Sequence, residues 1–428
     1  MPAPLQIGQS LTLDIQRLGA QGDGVAYVDD FPIFIPYSLP HERVIATIHH
    51  LKSDAALASL THVATPSSAR QSAPCMHFLQ CGGCNLQHLT PLSYESFKTH
   101  LITDILSQIG ADTSVIRPLV HGSAFSRRRA EFKVQVEKGQ VRLGFMSARS
   151  HRVIHLSMCP LLEPILFQAL APLHQCLQSL TRPSALSSIR LTRLARGLDV
   201  ECQLAAPLKK ADQQRLHDWA ASQSVIRLST RASSDEHEIL YAQGEAEIEI
   251  ANYAVPFPQN AFLQASSAAQ ESITERIIKH LAVYRHIVDL YCGLGTYSLP
   301  LVQHGHQVRA YEGDSEMITA LYNTIHRYHL QEKLGVHTRD LHHSPLTAKE
   351  FSGVQAAVIN PPRNGAMSQI KHMAASNLRC IIMVSCNPAT FARDAALLIK
   401  SGFRLCELTP IDQFYWSHHL EVVGVFRK

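Results

Sequence analysis

The stretch IIMVSCNPATFARD, residues 381–394, sets one thiol, Cys386, between an apolar run and a helix start. Asn387 suits an N-cap and Pro388 a first helical position, so the helix should begin just after the thiol. A cysteine at a helix N-terminus sits in positive potential, and its pKa is expected to fall below the roughly 8.5 of a free thiol. That describes a nucleophile. The plainer reading is a small hydrophobe closing a buried strand.

Three of the ten cysteines are clustered, Cys75, Cys81 and Cys84 with spacing C-x5-C-x2-C, and Cys159 follows in SMCPLLEP. Together they can close a tetrahedral S4 site, which both zinc and a [4Fe–4S] cluster accept. A third constellation is VDLYCGLGTYS, where Gly293 and Gly295 follow an apolar strand. Glu312 ends the next such strand, 23 residues after Asp289. A carboxylate at about that separation commonly takes ribose hydroxyls. Asp340 ends a third strand and can reach an adenine. The phosphate-binding G-x-G-x-x-G is absent, which disfavours a dinucleotide; S-adenosylmethionine, with ribose and adenine but no phosphate, fits better. Glu421, His418 and His419, taken alone, read as ordinary polar positions.

These groups need elements to hold them. From about residue 282, short buried strands alternate with helices: HIVDLYC, QVRAYEG, GVHTRD, AAVIN, CIIMVSC, FRLCEL and EVVGVFR. This is the pattern of a doubly wound, mostly parallel α/β sheet, whose ligands sit beyond the C-terminal strand ends. Tyr291 to Gly295, Glu312, Asp340, Asn360 and Cys386 fall at those ends. Upstream, Leu11, Leu13 and Ile15 alternate, as do Val44, Ala46 and Ile48, around the turn-rich GAQGDG. Short strands at this spacing suggest a small OB-like barrel, able to bind single-stranded nucleic acid with Arg17, Arg43 and Lys52. A Ser/Thr/Pro/Ala linker leads into the cysteine cluster. Tyr94, Phe97, Leu101 and Ile105 mark one face of a helix. A hairpin over 132–145 is entered through Arg127, Arg128 and Arg129, a basic run that can hold phosphates or form a solvated face.

At 428 residues the chain should divide into two or three domains. It is 46% hydrophobic and 17% charged, with formal net charge +4, compatible with a nucleic-acid partner without establishing one. No apolar run approaches a membrane span, and the N-terminal residues show no secretory pattern, so a cytoplasmic location is expected. Ten cysteines there do not read as a disulfide framework.

The ordered motifs closely resemble the RNA uracil-C5 methyltransferase family, particularly its 23S ribosomal RNA branch, over nearly the whole chain. They are the C-x5-CGGC cluster with its later CP, AFLQ at 261–264, DLYCGLGTYSLPL, YEGD, PPRNGA, SCNPATFARD and the closing HLE. The resemblance implies a TRAM barrel over 1–65, and a central α+β domain over 66–89 and 117–255 with a [4Fe–4S] cluster on the four cysteines. It also implies a class I, Rossmann-like methyltransferase domain over 90–116 and 256–428. Cys386 becomes the nucleophile and Glu421 the base. Gln264, Asp289, Tyr291, Gly293, Gly295, Glu312, Asp340 and Asn360 become cofactor contacts, and Arg363 joins Arg127–Arg129 as RNA contacts. A monomer acting on 23S RNA is expected; the same chemistry on tRNA is the alternative, disfavoured because tRNA-type members lack barrel and cluster. The departure is Asn360, where the family opens D-P-P-R with aspartate. It leaves open a catalytically impaired RNA-binding protein. An N-P-P amino-group methyltransferase is disfavoured by Arg363 in the place of an aromatic.

Overall fold

The computed structural model describes residues 5–428 except Arg149, Ser233 and Asp235; residues 1–4 of the expected first domain lie outside it. Among the described residues no helix is long and apolar enough to cross a membrane.

Residues 10–65 form a closed six-stranded sheet. One bent segment shuts it: Ser10–Asp14 pairs with Arg43–Leu51, while Arg17–Leu18 pairs with Gly24–Val28. The alternating positions point inward, so Leu13, Ile15, Val44, Ala46 and Ile48 are buried together with Ile33 and Ile35. The following linker is tied back by Arg70, whose guanidinium donates to both carboxylate oxygens of buried Glu42 at 2.5 and 2.8 Å.

The central region is a seven-stranded sheet in the spatial order 237–242, 225–231, 198–204, 186–193, 129–137, 140–146, 153–155. Helices Pro164–Ser179 and Lys210–Ser222 cover it over a core that includes Phe132, Leu173, Leu191, Val200 and Trp219. The hairpin read from the sequence is present as Arg129–Glu137 and Gln140–Met146.

All seven strands expected after residue 282 form one sheet: β1 (His286–Leu290), β2 (Gln307–Glu312), β3 (Leu334–Thr338), β4 (Ala356–Ile359), β5 (Cys380–Ser385), β6 (Arg404–Ile411) and β7 (Glu421–Arg427). The order is β3-β2-β1-β4-β5-β7-β6, with β7 antiparallel to both its neighbours. The strand order reverses between the parallel neighbours β1 and β4, where such sheets open a crevice at their C-terminal ends. β1, β4 and β5 are buried almost throughout and read as continuous apolar runs, as strands covered on both faces must.

Helix α1 (Pro91–Gln108) belongs to this sheet, since Ile102 and Leu106 enter its core. Its buried stripe runs Tyr94, Lys98, Ile102, Leu106, at intervals of four. The expected Leu101 and Ile105 are only half-buried, because a lysine, invisible to an apolar count, occupies the inward face. Ile116, in the expected methyltransferase segment, and Val120, in the expected central segment, both bridge to β6. The hairpin Glu247–Pro256, expected in the central domain up to residue 255, packs Ile248, Ile250 and Val255 against the core of this sheet.

Candidate active site

Cys386 follows β5 directly, and α2 (Pro388–Lys400) follows it. Asn387 caps α2 by accepting from Ala389 N–H at 3.1 Å. The β5–β7 register ends with Ser385 paired to Val422, which leaves Cys386 and Glu421 adjacent to the last pair, close enough for the Glu421 charge to act on the thiol. Gly424 makes room behind them: a Cβ there would stand 2.7 Å from Cζ of Phe391, a core residue of α2.

The electrostatics of this pair correct the sequence reading. The Cys386 thiol is pushed above its ordinary pKa by burial and then by the Glu421 charge; Arg363 pulls the other way. Position at a helix start does not outweigh a carboxylate across the ladder. Glu421 is 2% exposed, and burial raises its pKa to about 8, opposed by a hydrogen bond from Gln413 Nε2. A carboxyl at that value holds a proton near neutral pH and can surrender it, the property of a general acid–base group.

Toward the switch point, Glu312 closes β2 and accepts from the backbone N–H groups of Gly293 at 3.0 Å, Gly313 at 2.7 Å and Asp314 at 3.1 Å. Gly295 turns the β1 loop with φ +82°, and a Cβ would meet Leu321 Cδ1 at 2.8 Å. Tyr291 has φ +60°, a conformation costly for a non-glycine residue. Burial and the nearby Asp340 and Glu312 charges lift its hydroxyl to about 12. Asp289 is fully buried; Oδ2 accepts from Ser298 Oγ at 2.6 Å, and burial raises its pKa to about 7. Gln264 Nε2 donates to Tyr297 Oη at 3.2 Å. Asn360 N–H donates to the Leu290 carbonyl at 3.3 Å, joining the β1 and β4 ends. Asp340 departs from expectation: it lies beyond β3, is exposed, and accepts from the His343 ring and two backbone N–H groups of its own turn.

Among the described residues, the buried acceptors Gln264 Oε1, Asp289 Oδ1 and Gln413 Oε1 have no hydrogen-bond partner, whereas buried polar atoms are normally satisfied.

Arg128 and Arg129 do not form a phosphate-facing run. Arg128 donates to the Gln264 carbonyl, Ser267 Oγ and Gln270 Oε1 at 2.9, 3.1 and 2.6 Å, and Arg129 to the Ala261 carbonyl at 2.8 Å. Arg127 donates to the Arg129 carbonyl at 3.1 Å. The first two moor the AFLQ segment. Arg363 is exposed beside Cys386, and its Nη2 lies 3.1 Å from His419 Nδ1.

Cys75, Cys81, Cys84 and Cys159 all line one small pocket walled by Phe78, Phe145, Leu156 and Leu161. Gly83 N–H donates to Cys81 Sγ at 3.4 Å, and burial together with the neighbouring thiols lifts Cys84 to about 12. Among the described residues, no group of three or more His, Cys, Asp or Glu is arranged to hold a metal ion. A wider groove of about 670 Å³ runs past this loop, from Tyr37, His49 and Ser59 of the barrel to His418 and His419.

Sequence reasoning missed the network that fixes the loop between β6 and β7. Buried Lys98 donates to Asp412 Oδ1 at 2.9 Å and to the His419 carbonyl, while Tyr94 Oη donates to Asp412 Oδ2 at 2.8 Å. The one available signal was a lysine on the apolar face of α1.

Comparison with known proteins follows from this geometry. Residues 122–428 match the family model described as tRNA (uracil-5-)-methyltransferase, and residues 4–61 match the TRAM domain. An uncharacterised RNA methyltransferase of Brucella melitensis is 35% identical, covering 97% of each chain. The 23S rRNA (uracil(1939)-C(5))-methyltransferase of Shewanella sediminis is 30% identical over 98% of this chain and 96% of its own. The Pyrococcus abyssi tRNA (uracil-54, C5)-methyltransferase, solved with S-adenosyl-L-homocysteine, shares the fold with TM-score 0.75 and 19% identity, covering 97% of this chain and 99% of that one. The likeness of fold therefore extends over almost the full length of both chains.

Proposed function

The chain belongs to the RNA uracil-C5 methyltransferase family, whose members are S-adenosylmethionine-dependent enzymes, and we propose that it acts as a monomer on a uridine of 23S ribosomal RNA. The observation that carries the chemistry is that Cys386 and Glu421 flank the last β5–β7 pair, with the Glu421 charge acting on the thiol. Support for ribosomal RNA comes from full-length relatives of that named activity, at 30% and 31% identity.

Uracil C5 is a poor nucleophile. The Cys386 thiolate adds to C6, which forms the S–C6 bond and leaves the electron pair at C5 as an enolate. S-adenosylmethionine, when bound, supplies a methyl group made electrophilic by its sulfonium. Glu421 then takes the C5 proton, the C5=C6 bond re-forms, and Cys386 leaves as thiolate. The raised pKa of Glu421 suits this step, since a carboxyl near 8 is a stronger base than an ordinary one. Gln264, Asp289 and Glu312 line the place for the cofactor, with Tyr291, Gly293 and Gly295 shaping the turn and Asp340 at its rim. Asn360 keeps one acceptor where the family carries a carboxylate, and we take an acceptor to suffice. The groove between barrel and His418 offers the RNA its approach, and the target base leaves any stack to enter.

The same reading places a [4Fe–4S] cluster on Cys75, Cys81, Cys84 and Cys159. Its support is the four-thiol donor set in one apolar pocket with a backbone N–H aimed at sulfur. Bound, such a group would supply a rigid anchor for the 75–84 loop. Iron and acid-labile sulfide in anaerobically purified protein, lost in Cys84→Ser, test it.

The function is tested with 5-fluorouridine-substituted 23S fragments and tRNA. Fluorine at C5 cannot leave as a proton, so the enzyme traps itself. The expected result is a covalent adduct with ribosomal RNA that needs both S-adenosylmethionine and Cys386. An adduct with tRNA alone moves the substrate and keeps the chemistry. No adduct with either RNA favours a non-catalytic RNA-binding protein and turns attention to Asn360.

A further inference from the structure

A chain of polar contacts crosses from the barrel to the nucleophile through groups that the proposed reaction does not use. Asn85, next to Cys84, has its orientation fixed. His418 N–H donates to its Oδ1 at 3.2 Å, so its Nδ2 donates, to the Gln21 carbonyl at 2.7 Å and to His418 Nδ1 at 3.3 Å. The backbone N–H groups of Asn85 and Leu86 both reach the Trp416 carbonyl at 3.0 Å. The His418 ring lies 4.0 Å from that of His419. Arg363 has only donors, so at 3.1 Å from its Nη2 the His419 Nδ1 accepts. Burial and the surrounding cations hold His419 down at about 4, which keeps it neutral and able to accept. Arg363 completes the path, since its carbonyl takes Asn387 Nδ2 at 3.0 Å and Thr390 Oγ1 at 3.3 Å, and Asn387 is the residue after Cys386.

We propose that His419 and Asn85 are positioning residues for Cys386: His419 aims the Arg363 guanidinium at the thiol, and Asn85 fixes the histidine pair to the cysteine-rich loop. The reactivity of the nucleophile therefore depends on a contact between the central region and the catalytic sheet. Arg363 is exposed, and without an acceptor at Nη2 its side chain has many rotamers to choose from. Its charge favours the thiolate only while it points at Cys386.

This inference rests on Cys386 as nucleophile, and the experiment separates the two. The full-length chain is treated with iodoacetamide at fixed pH, and alkylation of the Cys386 peptide is followed by mass spectrometry alongside methylation kinetics. His419→Ala should slow Cys386 alkylation in the absence of RNA, and kcat at saturating RNA, each by about tenfold, the scale of one charge-assisted contact. His419→Gln, which restores an acceptor, should recover most of the loss. Asn85→Ala should slow alkylation in the absence of RNA about threefold, and it serves if His419→Ala does not fold. Unchanged alkylation in His419→Ala or Asn85→Ala overturns the proposal, as does an equal loss in His419→Gln and His419→Ala. Full methylation by Cys386→Ala would instead overturn the nucleophile assignment.

Discussion

Replacing Glu421 by Gln should stabilise the enzyme at alkaline pH while halting it in mid-reaction. In the folded chain this carboxyl keeps its proton to about 8, against 4.5 as its ordinary value. The unfolded chain releases it near 4.5, so the unfolded state binds fewer protons throughout that interval. The group's favourable contribution is complete below about pH 4.5 and is lost as pH rises to about 8. At about 1.4 kcal/mol per pH unit the loss reaches about 4–5 kcal/mol. An amide has no such charge to bury, and its N–H can serve Gln413 Oε1, which lacks a partner. The assay is urea unfolding from pH 5 to 9. The chain has two tryptophans, Trp219 in the central core and Trp416 in the loop before Glu421. A Trp219→Phe background loses no hydrogen bond, since the indole N–H has none, and leaves Trp416 to report the site. Asp289, also raised by burial, titrates in both proteins and cancels in the difference. The E421Q advantage should be near zero at pH 5 and several kcal/mol at pH 8.5. The variant should still methylate and then accumulate as a covalent RNA adduct. Parallel stability curves, or a variant weaker than the parent at pH 8.5, would refute the reasoning.

Further outcomes follow from the same contacts. Lys98→Met strips the buried partner from Asp412 and should cost about 3–5 kcal/mol; hydrogen exchange should increase over residues 412–420, and Lys98→Met with Asp412→Leu should recover part of the melting temperature. Glu312→Ala removes the acceptor that three backbone N–H groups orient, and calorimetry should show S-adenosylmethionine binding weakened at least about tenfold, the scale of a lost charge-assisted contact. Gly424→Ala drives a methyl into Phe391 and should cost about 1–3 kcal/mol in chemical unfolding, with catalysis falling as α2 shifts behind Cys386.

What the sequence reveals here divides by range. The seven strands were legible because each is a short apolar run bounded by turn residues, and all but the last pair are spaced by helical segments. Glu312 and Cys386 were legible because a strand end is a local property. The sign of the Cys386 shift was not, because its larger electrostatic cause stands on another strand. Arg128 and Arg129 show the same limit: a basic triplet looks like a surface, yet two of its members hold carbonyls of the AFLQ segment, 136 and 132 residues away. Lys98 was hidden twice over, on an apolar face where only its stem fits the pattern and 314 residues from its partner.

That separation bears on how the molecule is made. Helix α1 is synthesised long before the strand and loop that cover it, so a nascent chain must carry a half-apolar helix with a cationic side chain on its inward face. Contacts this distant along the chain close slowly, and until they close the surface is open to chaperones and to aggregation. The same order bears on the loop between β6 and β7. It is clamped by Lys98 and Tyr94, so Glu421 reaches its place near Cys386 only once those distant contacts have closed.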